Sequence, residues 1–137
     1  MTKHQIFESF AGLDEFLMYL AISLVLLYCF VWLYIRVTPW AEMALIRAGN
    51  MAASFSLSGA ILGFIVPLAA AIKNSVNLVD MVIWGLIALV VQILAFVVVK
   101  ILVPSVVQDI EAGNGAQGFF LGTTALAVGL LNAACMS

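Results

Sequence analysis

Long apolar runs alternate with short polar breaks along this chain, and the pattern predicts helices of membrane length. A spanning helix needs about 20 mostly apolar residues. Four stretches meet that length, at residues 16–35, 51–72, 81–101 and 115–136. The first and third are bulky, with Leu, Val, Ile, Phe, Tyr and Trp throughout. The second and fourth are rich in small residues. The fold class this predicts is an all-α membrane protein with four transmembrane helices.

The polar breaks suggest that one two-helix unit is written twice. Ala48-Gly49-Asn50-Met51-Ala52 pairs with Ala112-Gly113-Asn114-Gly115-Ala116. Each segment follows an apolar run, a proline (Pro39 or Pro104) and a short polar stretch, and each opens a second apolar run. An internal repeat of this kind sets the architecture. The expected organisation is an N-terminal interfacial segment at 1–15, a first repeat at 16–72, a turn at 73–80 and a second repeat at 81–137. An even number of spans per unit gives both copies one orientation, related by an axis along the membrane normal. Within the first loop, Thr38 is placed to cap a short helix opening at Pro39. Gly49 and Gly113 suit helix stops, and Asn50 and Asn114 suit N-caps of the spans that follow. A second reading has the two asparagines facing each other and touching a ligand or ion.

Small residues at helical spacing let membrane helices approach closely. Ser54 and Ser58, Gly59 and Gly63, Gly118 and Gly122, and then Gly129 supply such spacing. These residues predict that the second and fourth spans form the interior and that the bulky spans face lipid or a neighbouring subunit. Pro67 removes a helical hydrogen bond inside the second span, leaving a carbonyl for neighbouring serines or water to satisfy.

Composition supports the membrane reading. Hydrophobic residues make up 66% of the chain and charged residues 9%, and the mean hydropathy is +1.23. Soluble domains carry about 25% charged residues, so lipid must be the solvent for most of this surface. A net charge of −2 offers no basic footprint for nucleic acid. The acidic flank of the first run argues for a retained helix rather than a signal peptide. Arg36, Arg47 and Lys100 flank the two intra-repeat loops, against Lys3 and Lys73 on the other side. The positive-inside rule then places both loops in the cytoplasm and both termini outside.

Candidate chemistry is sparse. Apart from Lys100 at the very end of the third, the four spans contain no Asp, Glu, Lys or Arg, which counts against a proton-coupled transporter or a voltage sensor. Ser54, Ser58, Thr123 and Asn132 are the candidate lining of a permeation path, with hydroxyl and amide groups in place of charges. Gln92 is expected to hydrogen-bond between helices, either to a neighbouring subunit or within its own protomer. Cys29 and Cys135 read as buried thiols. Neither a catalytic set nor metal-ligand spacing is visible, so no enzyme activity, cofactor or metal is expected.

Further residues carry a family resemblance. Ile35-Arg36-Val37-Thr38-Pro39, Leu45-Ile46-Arg47-Ala48-Gly49-Asn50-Met51-Ala52-Ala53-Ser54, Ser58 to Gly63 and Val66-Pro67-Leu68 resemble the first repeat of YjfL-type small bacterial inner-membrane proteins. The ending, Gly122 to Ala127 and Leu131 to Met136, resembles their second. The resemblance implies tandem two-helix domains of unknown function in a bacterial inner membrane. It also implies a PspA-like membrane-remodelling partner, and it carries over no catalytic or ligand residues. Together these features lead to the expectation of a self-associating, non-enzymatic membrane scaffold or envelope-stress partner. A closed ring or a two-fold dimer is favoured over an open chain. The alternative is an oligomeric channel for a small ion or solute. Membrane lipid is the expected surrounding in either case.

Overall fold

A computed structural model describes residues 2–136, and among them every regular element is helical. A short amphipathic helix, α1 (Lys3–Phe10), is opened by a reciprocal cap between Thr2 and Gln5 and buries none of its residues. After a brief turn the chain enters α2 (Leu13–Val37), which exceeds the predicted first span at both ends. The six-residue helix α3 (Glu42–Arg47) precedes α4 (Met51–Asn74). The order then recurs as α5 (Leu78–Leu102), α6 (Val106–Glu111) and α7 (Gly115–Cys135). Among the described residues, four helical stretches are long and apolar enough to cross a membrane: Lys3–Val37, α4, α5 and α7.

The two short loops end in the same way. Gly49 and Gly113 adopt φ of 85° and 81°, a left-handed conformation that side chains with a Cβ disfavour. Each glycine N–H donates to a carbonyl three residues back, at 3.0 Å. Each following asparagine N–H donates five residues back, at 2.9 Å, to Leu45 or Asp109. Paired bonds of this kind satisfy the last carbonyls of a helix and stop it. The Asn50 side chain then accepts from Ala53 N at 3.0 Å, and that of Asn114 accepts from Ala116 N at 3.1 Å and Gln117 N at 3.4 Å. Thr38, by contrast, does not cap α3. Its hydroxyl turns back to donate to Ile35 O at 3.2 Å, and α3 starts three residues beyond Pro39. Proline disfavours the helical region for the residue before it, so Thr38 ends α2 in an extended conformation.

Packing centres on α4 and α7, which run in the same direction with their backbones touching. A Cβ at Gly59 would collide with Gly122, one at Gly118 with Ala52, and one at Gly129 with Gly63. A helix α5 lies across α4 and α7, and α2 lies against α4 and α5. The core joins Leu26, Phe30 and Tyr34 of α2 to Phe64 and Leu68 of α4 and Phe96 of α5. Phe30 stacks on Phe64 with ring centroids 4.6 Å apart.

The expected division into small interior helices and bulky outer ones needs correction. The bulky α5 is more buried than the small-residue α7, and α4 is the most buried of the four. The reason is geometric: glycines bring α7 close to α4 along one line only, and its remaining face stays open. Phe55 and Phe119, 64 residues apart in sequence, meet edge to face at 6.0 Å on the outer surface of the α4–α7 pair. Cys29 and Cys135 are free and exposed on outward surfaces rather than buried.

Candidate functional site

Two buried polar clusters stand out in an otherwise apolar interior. The first is built around Gln92, midway along α5, whose side chain is 2% exposed. Its Nε2 donates to Gly63 O at 2.9 Å and to Ala125 O at 3.1 Å. The Gly63 carbonyl is the one that Pro67 deprives of its helical donor, because proline has no N–H to offer four residues on. An amide from α5 therefore supplies what the proline removed and ties α4 to α7 at their closest approach. Neither a serine nor a neighbouring subunit fills this role: both amide protons are used inside the protomer. The amide oxygen has no partner. A cavity of about 10 Å³ beside Gln92 is lined by Tyr34, Phe96, Leu121 and Thr124.

The second cluster sits at the loop end of the bundle. Glu42, the first residue of α3, is 0% exposed, and Trp40, Thr38, Tyr34 and Ser56 are buried with it. Tyr34 and Ser56 share a hydrogen bond of 3.2 Å between their hydroxyls. Phe96 closes the site, with its ring 5.7 Å from Tyr34 and 5.6 Å from Trp40, edge-on to both. Both Glu42 carboxyl oxygens and the Trp40 indole nitrogen are buried without a hydrogen-bond partner. Burial pushes the Glu42 carboxyl up from an ordinary value of 4.5 to about 7, against the opposing pull of the nearby Trp40 and Thr38 donors. Burial dominates because a desolvated carboxylate loses hydration that two imperfect donors cannot replace.

Residues singled out from the sequence fall into three groups. Gly59, Gly63, Gly118, Gly122 and Gly129 all lie at the α4–α7 contact. Ser54 is half-buried. Ser58 is exposed and lines an outer groove of about 180 Å³ with Phe55, Gly59, Leu62, Gly122 and Thr123. The four residues expected to line a path do not converge on one. Ser58 and Thr123 open onto that outer groove, whereas the Asn132 side-chain nitrogen is buried near the far end of α7. Asn50 does more than cap: its Nδ2 donates to Ile110 O at 2.8 Å, joining the two loops. Asn114 is exposed and caps α7, so the two asparagines make different contacts.

Sequence reasoning missed Glu42, because a glutamate in a six-residue loop helix reads as solvated surface. A signal was present. With Asn50 aligned to Asn114, Glu42 falls on Val106 and Ile46 on Ile110. An apolar counterpart marks the position as inward-facing.

Residues 7–136 match the family described as Domain of Unknown Function (DUF350). The chain is 42% identical over 126 residues to the UPF0719 inner membrane protein YjfL of Escherichia coli strain K12, covering 92% of this chain and 96% of that one. It is 28% identical over 109 residues to the UPF0719 transmembrane protein YshE of Bacillus subtilis, covering 78% and 81%. No solved structure matches. With four apolar helices of spanning length and relatives named for the inner membrane, the chain is a multi-pass bacterial inner-membrane protein and belongs to the DUF350 family.

Proposed function

We propose that this protein is a non-enzymatic membrane scaffold that associates with further copies of itself head to tail. The observation that carries this reading is an unequal use of equivalent surfaces. In the first half, Phe30, Tyr34, Ser56, Ala60 and Phe64 are all buried beneath neighbouring helices. The positions 64 residues later are Leu94, Val98, Phe120, Thr124 and Val128. All five line an open groove of about 380 Å³ between α5 and α7. In the chain, α5 enters the first-half site with Met81, Ala88, Leu89, Gln92 and Phe96. The α2 residues at the equivalent positions are Leu17, Leu24, Val25, Tyr28 and Trp32, and all are exposed.

The packing of α5 on α2 and α4 therefore supplies a template for docking α2 of one copy onto α5 and α7 of the next. Such a contact is heterologous, and it closes into a ring or continues as a filament according to the rotation per copy. Tyr28 replaces Gln92 at the centre of the docking face and can bring its hydroxyl to Thr124 in the groove. Cysteine pairs test the arrangement on a background lacking Cys29 and Cys135. Tyr28→Cys with Phe120→Cys should cross-link between copies in native membranes and give a ladder of species. Phe55→Cys with Phe119→Cys should close within one copy. A protein that stays monomeric by native mass spectrometry and gives no intermolecular product would overturn the reading.

A further inference from the structure

The buried carboxyl at the loop end has no role in the assembly surfaces, and the second half shows that the fold does not need it. The equivalent position in α6 is Val106, also 0% exposed, and the helix there has the same length and the same terminating glycine geometry. An apolar side chain therefore suffices to seat such a helix. A glutamate in its place adds a titratable group that the packing of the helix does not require. We propose that Glu42, with Trp40, Thr38 and the Tyr34–Ser56 hydroxyl pair, forms a proton-binding site that holds α3 against the bundle when occupied and loosens it when empty.

The surroundings suit a proton better than a larger ligand. Tyr34 of α2 is the titratable group whose electrostatics Glu42 touches. On α4, against which α3 packs, the single charged residue is Lys73 at the opposite end. Arg36 is exposed and lies over the Trp32 ring, with its guanidinium 4.9 Å from the centroid. Lys100 of α5 is exposed. On α6, Asp109 accepts from Gln117 at 3.0 Å, and Glu111 is exposed. Arg47, at the other end of α3, is exposed, and among the described residues the carboxylate has no ion pair with a lysine or arginine, so protonation is the simplest way to remove a charge that burial penalises. Once neutral, the acid carries one O–H donor for a neighbouring oxygen.

Linkage sets the sign of the effect. The folded-state pKa lies above the unfolded value, so the folded protein holds a proton that the unfolded chain releases. The resulting stabilisation is full below pH 4.5 and is lost as pH rises to about 7. Across that window the folded-to-unfolded ratio contributed by this group falls by roughly tenfold per pH unit.

Thermal unfolding of the full chain in mild detergent, followed from pH 4.5 to 8.5, tests the site alongside infrared titration of the protonated carboxyl band. Wild type and the exposed control Glu111→Gln should lose melting temperature through this window, and the carboxyl band should disappear near neutral pH. In Glu42→Gln the profile should flatten and the band be missing. Retention of the full pH profile in Glu42→Gln would overturn the proposal. So would a wild-type band that titrates in the ordinary carboxylate range, a reading that holds even if the variant does not fold. A profile that moves with added sodium or potassium would assign the carboxylate to a cation and reject the proton site.

Discussion

The loop helices α3 and α6 have the same length, the same left-handed glycine stop and the same asparagine cap, yet they differ in what they bury. The α6 helix seats Val106 and Ile110 and meets its neighbours through apolar contact. The α3 helix buries Glu42, and its flank buries Trp40 and Thr38. The spans differ in parallel: α4 carries Pro67 and depends on Gln92, whereas α7 has no proline and supplies the partner carbonyl of Ala125. Most of the buried polar exceptions thus lie on α2, α3 and α4, with Gln92 of α5 reaching across to α4. Functional specialisation is expected where a local rule is broken without need, and that points to the first half.

The largest expected effect comes from the line where the halves touch. Gly122→Leu should drive a side chain into the Phe55 carbonyl and cost about 3 kcal/mol or more, because neither backbone can move aside. Ser58→Leu, at the equivalent position of α4, should be tolerated because Ser58 faces the open groove. Thermal stability in detergent compares the two. Equal losses would mean that α4 and α7 use their equivalent faces alike.

A second substitution exchanges the character of the loops. Val106→Glu places a carboxyl in the buried seat of α6, which has no indole or hydroxyl cluster of its own. Its cost should reach ~3 kcal/mol near pH 8 and shrink as the pH falls, since protonation removes the buried charge. Melting curves at the two ends of that range provide the check. A pH-independent loss would show that the seat of α6 is open to water.

Much of the fold was legible in the sequence, because apolar length and glycine spacing act locally. Pro, Gly and Asn marked both loops, and the stops at Gly49 and Gly113 and the caps at Asn50 and Asn114 lie where their spacing placed them. Long-range geometry was not legible. Gln92 reads as an amide in search of any partner, and only the fold brings it to the carbonyl that Pro67 leaves bare. Glu42 reads as surface because a six-residue helix taken alone does not fix which side faces inward; only its alignment with Val106 marks the buried side. The exposure of α7 was hidden for the same reason: small residues announce that a close approach exists, not that it is confined to one side.

Gln92→Leu probes the polar tie between the halves. Two donated bonds are lost and the Gly63 and Ala125 carbonyls are left without that donor, at an expected cost of about 1–2 kcal/mol. Pro67→Ala should offset part of the loss by restoring the helical donor to Gly63 O. A double-mutant cycle by thermal unfolding measures this coupling. Additive effects would separate the amide from the proline.

The smallest expected difference lies between the two caps. Asn114→Ala removes bonds to Ala116 N and Gln117 N at an exposed helix start, which should cost ~1 kcal/mol. Asn50→Ala removes the equivalent cap and also the 2.8 Å bond to Ile110 O that joins the loops. The additional bond should raise the cost by about 1 kcal/mol, because a part-buried carbonyl loses its side-chain donor. Asn50→Asp sharpens the comparison. The carboxylate keeps the capping oxygen but offers no donor to Ile110, so it should recover the cap and not the cross-loop bond. Amide hydrogen exchange over 106–111 reads that bond separately from global stability. Faster exchange of α6 in both Asn50 variants and not in Asn114→Ala is the expected pattern. Equal exchange in all three would mean that the loops are held together by apolar packing alone.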